Sequence, residues 1–472
     1  MTDQYLRNTT ADYITGAISA LKGIKNSIVL VNGPVGCVTY YGFETGQSAV
    51  DPAKLWGQRG ALHIKGSPEE ELLRSQYYMG SSNVPSTNLR YEDFIFGTVD
   101  QLNKALNDIS AGYDLSLFAV IQAPGTSLLS EVIEPELKAI SEETHIPCVY
   151  VETPGLSENM LRGFDETVVK LLKALSEPGL RDRRTKLHAE KKRASVNLFG
   201  LGSRDYFVDG DLAELTRILD LCGIDVNCAP GAFPSVEELE GVCRADANIY
   251  LSPERCRKTA EYMRSISDMP SFTMGCMPIG PDLCESFVRG ISAFLGTDCS
   301  KALEDIDKAR SRIFYQVARR TGGRGFSGEF RFAAEGEASL LYALTDYLSG
   351  YLGIAPECLH VLCGSDENGR KKGSEKPEAC EEKGALRELL SSFGLEDAMD
   401  RDITKVKDIV FFGNANTIAH ILAYSGNVYG VEISSPGSGY INVIPKTLIG
   451  PTGALYILEQ VLNARRLLGA WD

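Results

Sequence analysis

Residues 28–41 read Ile28-Val-Leu-Val-Asn32-Gly33-Pro34-Val-Gly36-Cys37-Val-Thr-Tyr40-Tyr41. Four successive apolar residues are the mark of a strand buried on both faces. Gly33-Pro34 ends it, because glycine adopts turn conformations closed to other residues and proline has no amide hydrogen for the ladder. A cysteine then stands just beyond the strand's carboxyl end, where α/β folds place their ligands. Gly33 and Gly36 let the backbone turn tightly and approach a bulky group. On the residues alone, Cys37 is open to three readings: metal ligand, nucleophile or structural thiol.

Working outward, the same order of short β-branched run, turn and helical segment recurs along the chain, which is how parallel α/β units read. Strands are expected at residues 27–31, 115–121, 148–151, 195–199, 248–251, 329–333, 359–362, 409–412 and 428–433. The stretch 181–193, rich in Lys and Arg, reads as a solvated connection, and the glycine-rich stretch 321–328 as a second break. Three α/β domains follow: 1–192, 193–324 and 325–472. Residues 364–382 are nearly devoid of apolar side chains and read as a mobile surface loop. A last helix at 452–468 buries one face through Leu455, Leu458, Val461, Leu462 and Leu468.

Composition narrows the function. The chain has 472 residues, 43% of them hydrophobic, enough for more than one core. Its formal charge of −15 argues against a general affinity for nucleic acid, which needs clustered Lys and Arg. No stretch approaches the roughly 18 apolar residues of a membrane span, and the polar start lacks the order of a signal peptide. A cytoplasmic protein without membrane or nucleic-acid partners is expected, with its 12 cysteines reduced and mostly buried.

Common catalytic motifs are not met. Gly364-Ser-Asp-Glu-Asn-Gly-Arg-Lys371 lacks the Gly-Lys-Ser/Thr ending of a phosphate loop, so no nucleotide is expected on this chain. Gly200-Leu-Gly202 begins like a dinucleotide fingerprint, but Asp205 stands where the third glycine belongs, and a plain strand-to-helix turn is expected. The five histidines are scattered singly and no Cys-x-x-Cys pair exists, which leaves no zinc pattern. Cys222, Cys228, Cys276, Cys284 and Cys358 read as core thiols.

Gly33-Pro-Val-Gly-Cys37 followed by Tyr40-Tyr41 resembles the HGP-x-GC turn of the nitrogenase component 1 family, whose cysteine ligates an iron-sulfur cluster at a subunit interface. Further segments resemble the family's in its order: Asp93-Phe-Ile-Phe-Gly97, residues 120–134, and residues 146–155 with Gly163-Phe-Asp165. Met277-Pro-Ile-Gly280, Glu335-Gly-Glu-Ala338, Phe411-Phe-Gly-Asn414 and Gly450-Pro-Thr-Gly-Ala454 continue the series nearly to the end. Each motif is weak alone; the ordered set is specific. The resemblance implies an α/β fold of three Rossmann-like parallel-sheet domains in the nitrogenase component 1 arrangement.

It also implies a role. A β-type subunit of a two-component reductase would relay electrons from a separate ATP-dependent iron-sulfur reductase protein to a substrate. Its partner would be an α-type subunit, in a heterodimer or heterotetramer. The alternative is a scaffold subunit on which a nitrogenase-type metal cofactor is assembled. The implied cofactor is an iron-sulfur cluster of 4Fe-4S type, with Cys37 as ligand and Gly33, Pro34, Gly36 and Tyr40 around it. Departures sharpen the picture: Asn32 replaces the motif's histidine, and Val84 and Gln122-Ala-Pro124 occupy the places of other cluster cysteines. A 4Fe-4S cluster takes four ligands, so one thiolate implies that the partner supplies the rest. Asp12 is a second candidate ligand, against its simpler reading as a helix cap. Ser252 stands nearest the place of the family's active-site cysteine, and no histidine occurs in residues 439–451, so no active-site cofactor is expected in this subunit.

Overall fold

β2 (Leu117–Gln122) is a run of six buried residues, flanked in register by β1 (Ser27–Asn32) and β3 (Cys148–Val151), both parallel to it. A strand buried on both faces must be covered by helices, and the amphipathic segments between the strands provide them. In the helix Val99–Gly112, the buried Leu102, Ala105, Leu106 and Ile109 recur at the helical period and pack under Phe118 and Val120. On the other face lie α1 (Tyr13–Leu21) and the helix Met160–Leu175. These two touch backbone to backbone: a Cβ on Gly16 would stand 2.0 Å from the Met160 carbonyl oxygen, and one on Gly163 would stand 2.1 Å from that of Tyr13. Only glycine fits either position.

The computed structural model describes residues 12–34, 84–153, 159–175, 193–326, 330–362, 381–425, 427–434 and 442–468. The charged stretch before residue 193, the hydrophilic segment 363–380 and its Gly364–Lys371 run lie outside them. Two four-stranded parallel sheets follow the first. One has the order β5 (Ile224–Cys228), β4 (Ala194–Phe199), β6 (Ala247–Tyr250), β7 (Ser271–Thr273). The other has the order β11 (Val428–Glu432), β10 (Ile409–Gly413), β8 (Arg331–Gly336), β9 (Ala355–Val361). Three parallel sheets with helical connections are therefore present, as expected.

The strands at β5 and β7 are additions to the sequence reading. β5 is an edge strand carrying Asp225 and Asn227, and β7 is a three-residue edge, so neither has the apolar run of an interior strand. β8 and β9 also differ from expectation: β8 runs two to three residues later than 329–333, and β9 begins four residues before 359. Gly200 turns the chain after β4 at φ +105°, and the Asp205 carboxylate closes that turn by accepting from the Gly202 amide. The residue that broke the dinucleotide fingerprint thus holds the turn's shape.

The second and third sheets share one apolar core, built around Phe287, Phe332, Phe412 and Tyr347. The closing helix Gly450–Leu467 packs on the helices Gly280–Leu295 and Ser300–Thr321. Proline in the first turn opens Gly280–Leu295 and Gly450–Leu467, and the left-handed Gly296 and Gly322 stop Gly280–Leu295 and Ser300–Thr321. No helix of the described residues is long and apolar enough to cross a membrane.

The carboxyl ends of β4, β6 and β8 converge, and a buried ion network fills the junction. Arg255, 7% exposed, reaches Asp205 after β4 with two hydrogen bonds of 2.6 and 2.8 Å and also pairs with Glu337 after β8. Ser252 donates to Glu337 at 2.9 Å, and Glu254 accepts the Ser339 amide at 2.6 Å. Burial, reinforced by the neighbouring Glu337, pushes the Glu254 carboxyl up from its ordinary value. The first sheet joins through Phe164, whose ring lies 5.8 Å from the Arg255 guanidinium, and through Ser203, which donates to the Ser19 carbonyl.

Arg255→Met removes the guanidinium that neutralises the buried Asp205 and Glu337 carboxylates and is expected to cost about 3–5 kcal/mol in a denaturant titration. Arg255→Lys restores only part of this loss, because an ammonium cannot make the two-pronged contacts. A second buried carboxylate, Asp211, makes stability depend on pH. It accepts from Thr447 Oγ1 at 2.6 Å and the Leu448 amide at 2.9 Å. Burial pushes its carboxyl up to about 7. An unfolded aspartate ionises near pH 4, so this site loses stability as pH rises from about 4 to about 7 and nothing further above that. Asp211→Asn is expected to remove that loss, raising the melting temperature at pH 8 by a few degrees relative to the parent while changing it little at pH 4.

Candidate functional site

The carboxyl edge of the first sheet is where the Cys37 turn begins, and its described portion ends at Pro34. Gly36, Cys37, Tyr40 and Tyr41 lie outside the described residues.

The edge is held by a polar network centred on Asn32, which is fully buried. Its amide nitrogen donates to Thr98 Oγ1 at 3.1 Å, and its amide oxygen accepts from Thr87 Oγ1 at 3.0 Å. Its carbonyl accepts from the Ala123 amide at 3.1 Å and from Thr126 Oγ1 at 2.9 Å. The Gly33 amide donates to Thr87 Oγ1 at 3.0 Å. Thr98 in turn donates its hydroxyl to Glu131 at 2.6 Å and its amide at 2.8 Å. An asparagine in the histidine's place in the motif is thus a satisfied hub, with donor and acceptor both used, which is what a buried amide requires.

The replaced cysteine positions are equally well filled. Val84 is buried, and the segment after it runs beside β1 through a parallel bridge between Val31 and Ser86. Nothing in the sequence pattern announced this extra pairing, because 84–87 has no apolar run. Gln122 donates to the Thr126 carbonyl at 3.0 Å and accepts from the Tyr150 hydroxyl. Asp12 caps α1: its carboxylate accepts from the Thr15 amide at 2.9 Å and the Thr15 hydroxyl at 3.0 Å. It pairs with Asn159 at the start of the helix Met160–Leu175, at the same end of the sheet as Gly33.

Around this edge stands a set of exposed apolar side chains. Tyr91, Ile95 and Phe96, on the short helix Tyr91–Phe96, are 78%, 59% and 86% exposed, and Leu128 and Val132 are 84% and 70% exposed. Glu131 links the two groups through its bonds to Thr98. Five large apolar side chains are thus exposed near this edge.

Two other motif segments gain a physical meaning. In Gly163-Phe-Asp165, the glycine permits the close helix contact, and Asp165 accepts from the amides of Lys258 at 2.7 Å and Thr259 at 2.9 Å. It thereby caps the helix Arg257–Ile266, which belongs to the second sheet. Burial pushes the Asp165 carboxyl up against these bonds. Met277-Pro-Ile-Gly280 meets the Gly450 segment, whose amide donates to the Pro278 carbonyl at 2.9 Å. Cys256 is buried at the start of that capped helix, and burial raises its thiol well above the ordinary value, which leaves it inert. Among the described residues no group of three metal-ligating side chains is gathered.

Comparison with known proteins agrees with the fold and the motif order. A model of the family described as nitrogenase component 1 type oxidoreductase matches residues 14–465. The chain is 23% identical to the nitrogenase molybdenum-iron protein beta chain of Frankia alni, over 95% of its own length and 80% of that protein. It is 26% identical to a subunit of the light-independent protochlorophyllide reductase of Synechococcus sp. (strain RCC307), over 52% of its own length and 48% of that protein. It is also 26% identical to the nitrogenase iron-molybdenum cofactor biosynthesis protein NifE of Clostridium pasteurianum, over 50% of its own length and 43% of that protein. The solved structure titled "Nitrogenase Cp1 at pH 6.5" superposes with a TM-score of 0.69 at 16% identity, covering 97% of this chain and 93% of that one. The chain belongs to the nitrogenase component 1 type oxidoreductase family.

Proposed function

We propose that the chain is a β-type subunit of a nitrogenase-like two-component reductase, and that Cys37 gives one thiolate to an iron-sulfur cluster shared with an α-type partner. The observation that carries this reading is the combination of a near full-length likeness to a beta chain with a strand-tip turn holding one cysteine. A 4Fe-4S cluster needs four ligands, mostly thiolates, and the positions of other family cysteines here hold Val84 and Gln122-Ala-Pro124. The missing ligands come from across an interface.

The chain's own residues perform the supporting work. Asn32, Thr87 and Thr126 clamp the strand tip, so the turn that follows starts from one defined backbone. Gly33 leaves room for a bulky group against the backbone. The exposed apolar rim from Tyr91 to Phe96 and at Leu128 and Val132 is covered by the partner, which keeps water from the site. A bound iron-sulfur cluster supplies one-electron transfer. An ATP-dependent iron-sulfur protein delivers the electrons, and the substrate lies mainly on the partner. The likeness to NifE supports a second reading, a scaffold for assembling a metal cofactor, with the same cluster and interface.

The test is anaerobic co-expression and co-purification with an α-type subunit from the same organism. The parent complex is expected to carry iron and a reducible cluster spectrum, and Cys37→Ala to lose most of both while the two subunits still associate. Iron and spectrum unchanged by Cys37→Ala would rule out the assignment. Asp12→Ser keeps a helix cap, so it is expected to keep the iron; loss of iron in that variant would make Asp12 a carboxylate ligand. Substrate turnover with an ATP-dependent reductase separates the enzyme from the scaffold, which transfers a metal cofactor without turnover.

A further inference from the structure

The helices Ser300–Thr321 and Gly450–Leu467 pack together, yet a groove of about 550 Å³ remains between them. Its cause is legible in the spacing. Arg312, Gln316 and Arg320 recur every four residues, so they form one stripe about 12 Å long on the first helix. The second helix presents Gln460, Asn463 and Arg466 to the same groove, and Lys446 closes it from the preceding segment. Leu455, Leu458 and Leu462 complete the second helix's wall, and the long polar side chains opposite do not interlock with them as apolar ones would, so space is left.

The groove's charge sets it apart from the rest of the molecule. Its lining holds five cations, Arg312, Arg320, Lys446, Arg465 and Arg466, against one carboxylate, Glu459, in a chain of formal charge −15. Elsewhere on the first helix arginine finds acid: Arg310 reaches Asp282 at 2.8 Å and Glu285 at 2.6 Å. Among the described residues Arg312, Arg320 and Arg466 have no such partner. Lys446 and Arg465 are seated against the rings of Tyr456 and Phe326, at 5.6 and 5.8 Å from the centroids. Like charges gathered in a concavity repel one another and raise the local potential, which an anion relieves.

We propose that this groove binds a small polyanion carrying at least two carboxylate or phosphate groups. Guanidinium forks match both groups with paired hydrogen bonds, and the neutral Gln316, Gln460 and Asn463 supply hydrogen bonds between the charged ends. The volume lies within the range of about 300–1,000 Å³ usual for small-molecule sites. The site is built from residues 312–320 and 444–466, shares no residue with the Asn32 network, and stands whether or not the chain holds iron.

Calorimetric titration of the full chain with pyrophosphate and, separately, citrate tests the assignment, with acetate as the single-charge control. One of the two is expected to bind at one site per chain with micromolar affinity that falls as salt rises, and the tighter one tells phosphate from carboxylate. The pair Arg312→Gln and Arg320→Gln is expected to weaken binding at least about tenfold. Arg289→Gln, on an exposed face of the helix Gly280–Leu295, is expected to change it less than about twofold. Circular dichroism of each variant confirms that it is folded. Absence of binding for both anions up to about 10 mM would overturn the proposal, as would affinity unchanged in the groove variant. Groove arginines that an associated protein shields from phenylglyoxal, and that neither anion shields, would instead assign the groove to an acidic protein surface, and would equally overturn it.

Discussion

The Arg255 guanidinium is the contact on which the arrangement of the three sheets depends. It lies between Asp205, at the end of β4, and Glu337, at the end of β8, with the ring of Phe164 from the first sheet beside it. A buried charge is costly unless its hydrogen bonds are met, so these partners must stay in place together. The constraint is geometric as well as energetic, because a planar fork accepts only a narrow range of carboxylate positions. Parallel sheets of this kind bind ligands in the crevice where the strand order reverses. In the second sheet that crevice, between β4 and β6, is occupied by the protein's own ion network. Ser252 lies there, hydrogen-bonded to Glu337.

The first sheet is organised differently. Its carboxyl edge is held by hydroxyls and amides around Asn32, with the Glu131 carboxylate engaged by Thr98. Paired hydroxyls and amides beside exposed apolar side chains suit a surface that is covered by another protein. The basic groove has a different character. One chain thus carries a buried ionic junction, an edge with exposed apolar side chains and a cationic groove.

Much of this was legible along the chain. Interior strands such as β2 and β10 declare themselves because a strand buried on both faces must be apolar throughout. β5 and β7 did not, since an edge strand shares its ladder on one side only and tolerates Asp225, Asn227 and Ser271. Asp12 was legible as a cap because capping is local, a contact between positions 12 and 15. The Asn32 network was not, because its partners Thr87, Thr98 and Thr126 are 55 to 94 residues away. The hydroxyls of such threonines look like those of any surface threonine until the fold places them.

By itself the sequence determined the α/β class, the interior strands and the membership of the nitrogenase component 1 family. These rest on local periodicity or on short runs of neighbours, which need no knowledge of distant residues. Only the tertiary structure decided that Asp205, Arg255 and Glu337 meet, and that Asp165 of the first sheet's helix caps a helix of the second. It also decided that polar side chains of two helices face each other across a groove. The physical reason is the same in each case: a charge or hydroxyl acquires its meaning from partners brought close by folding, and their separation along the chain carries no signal of that meeting.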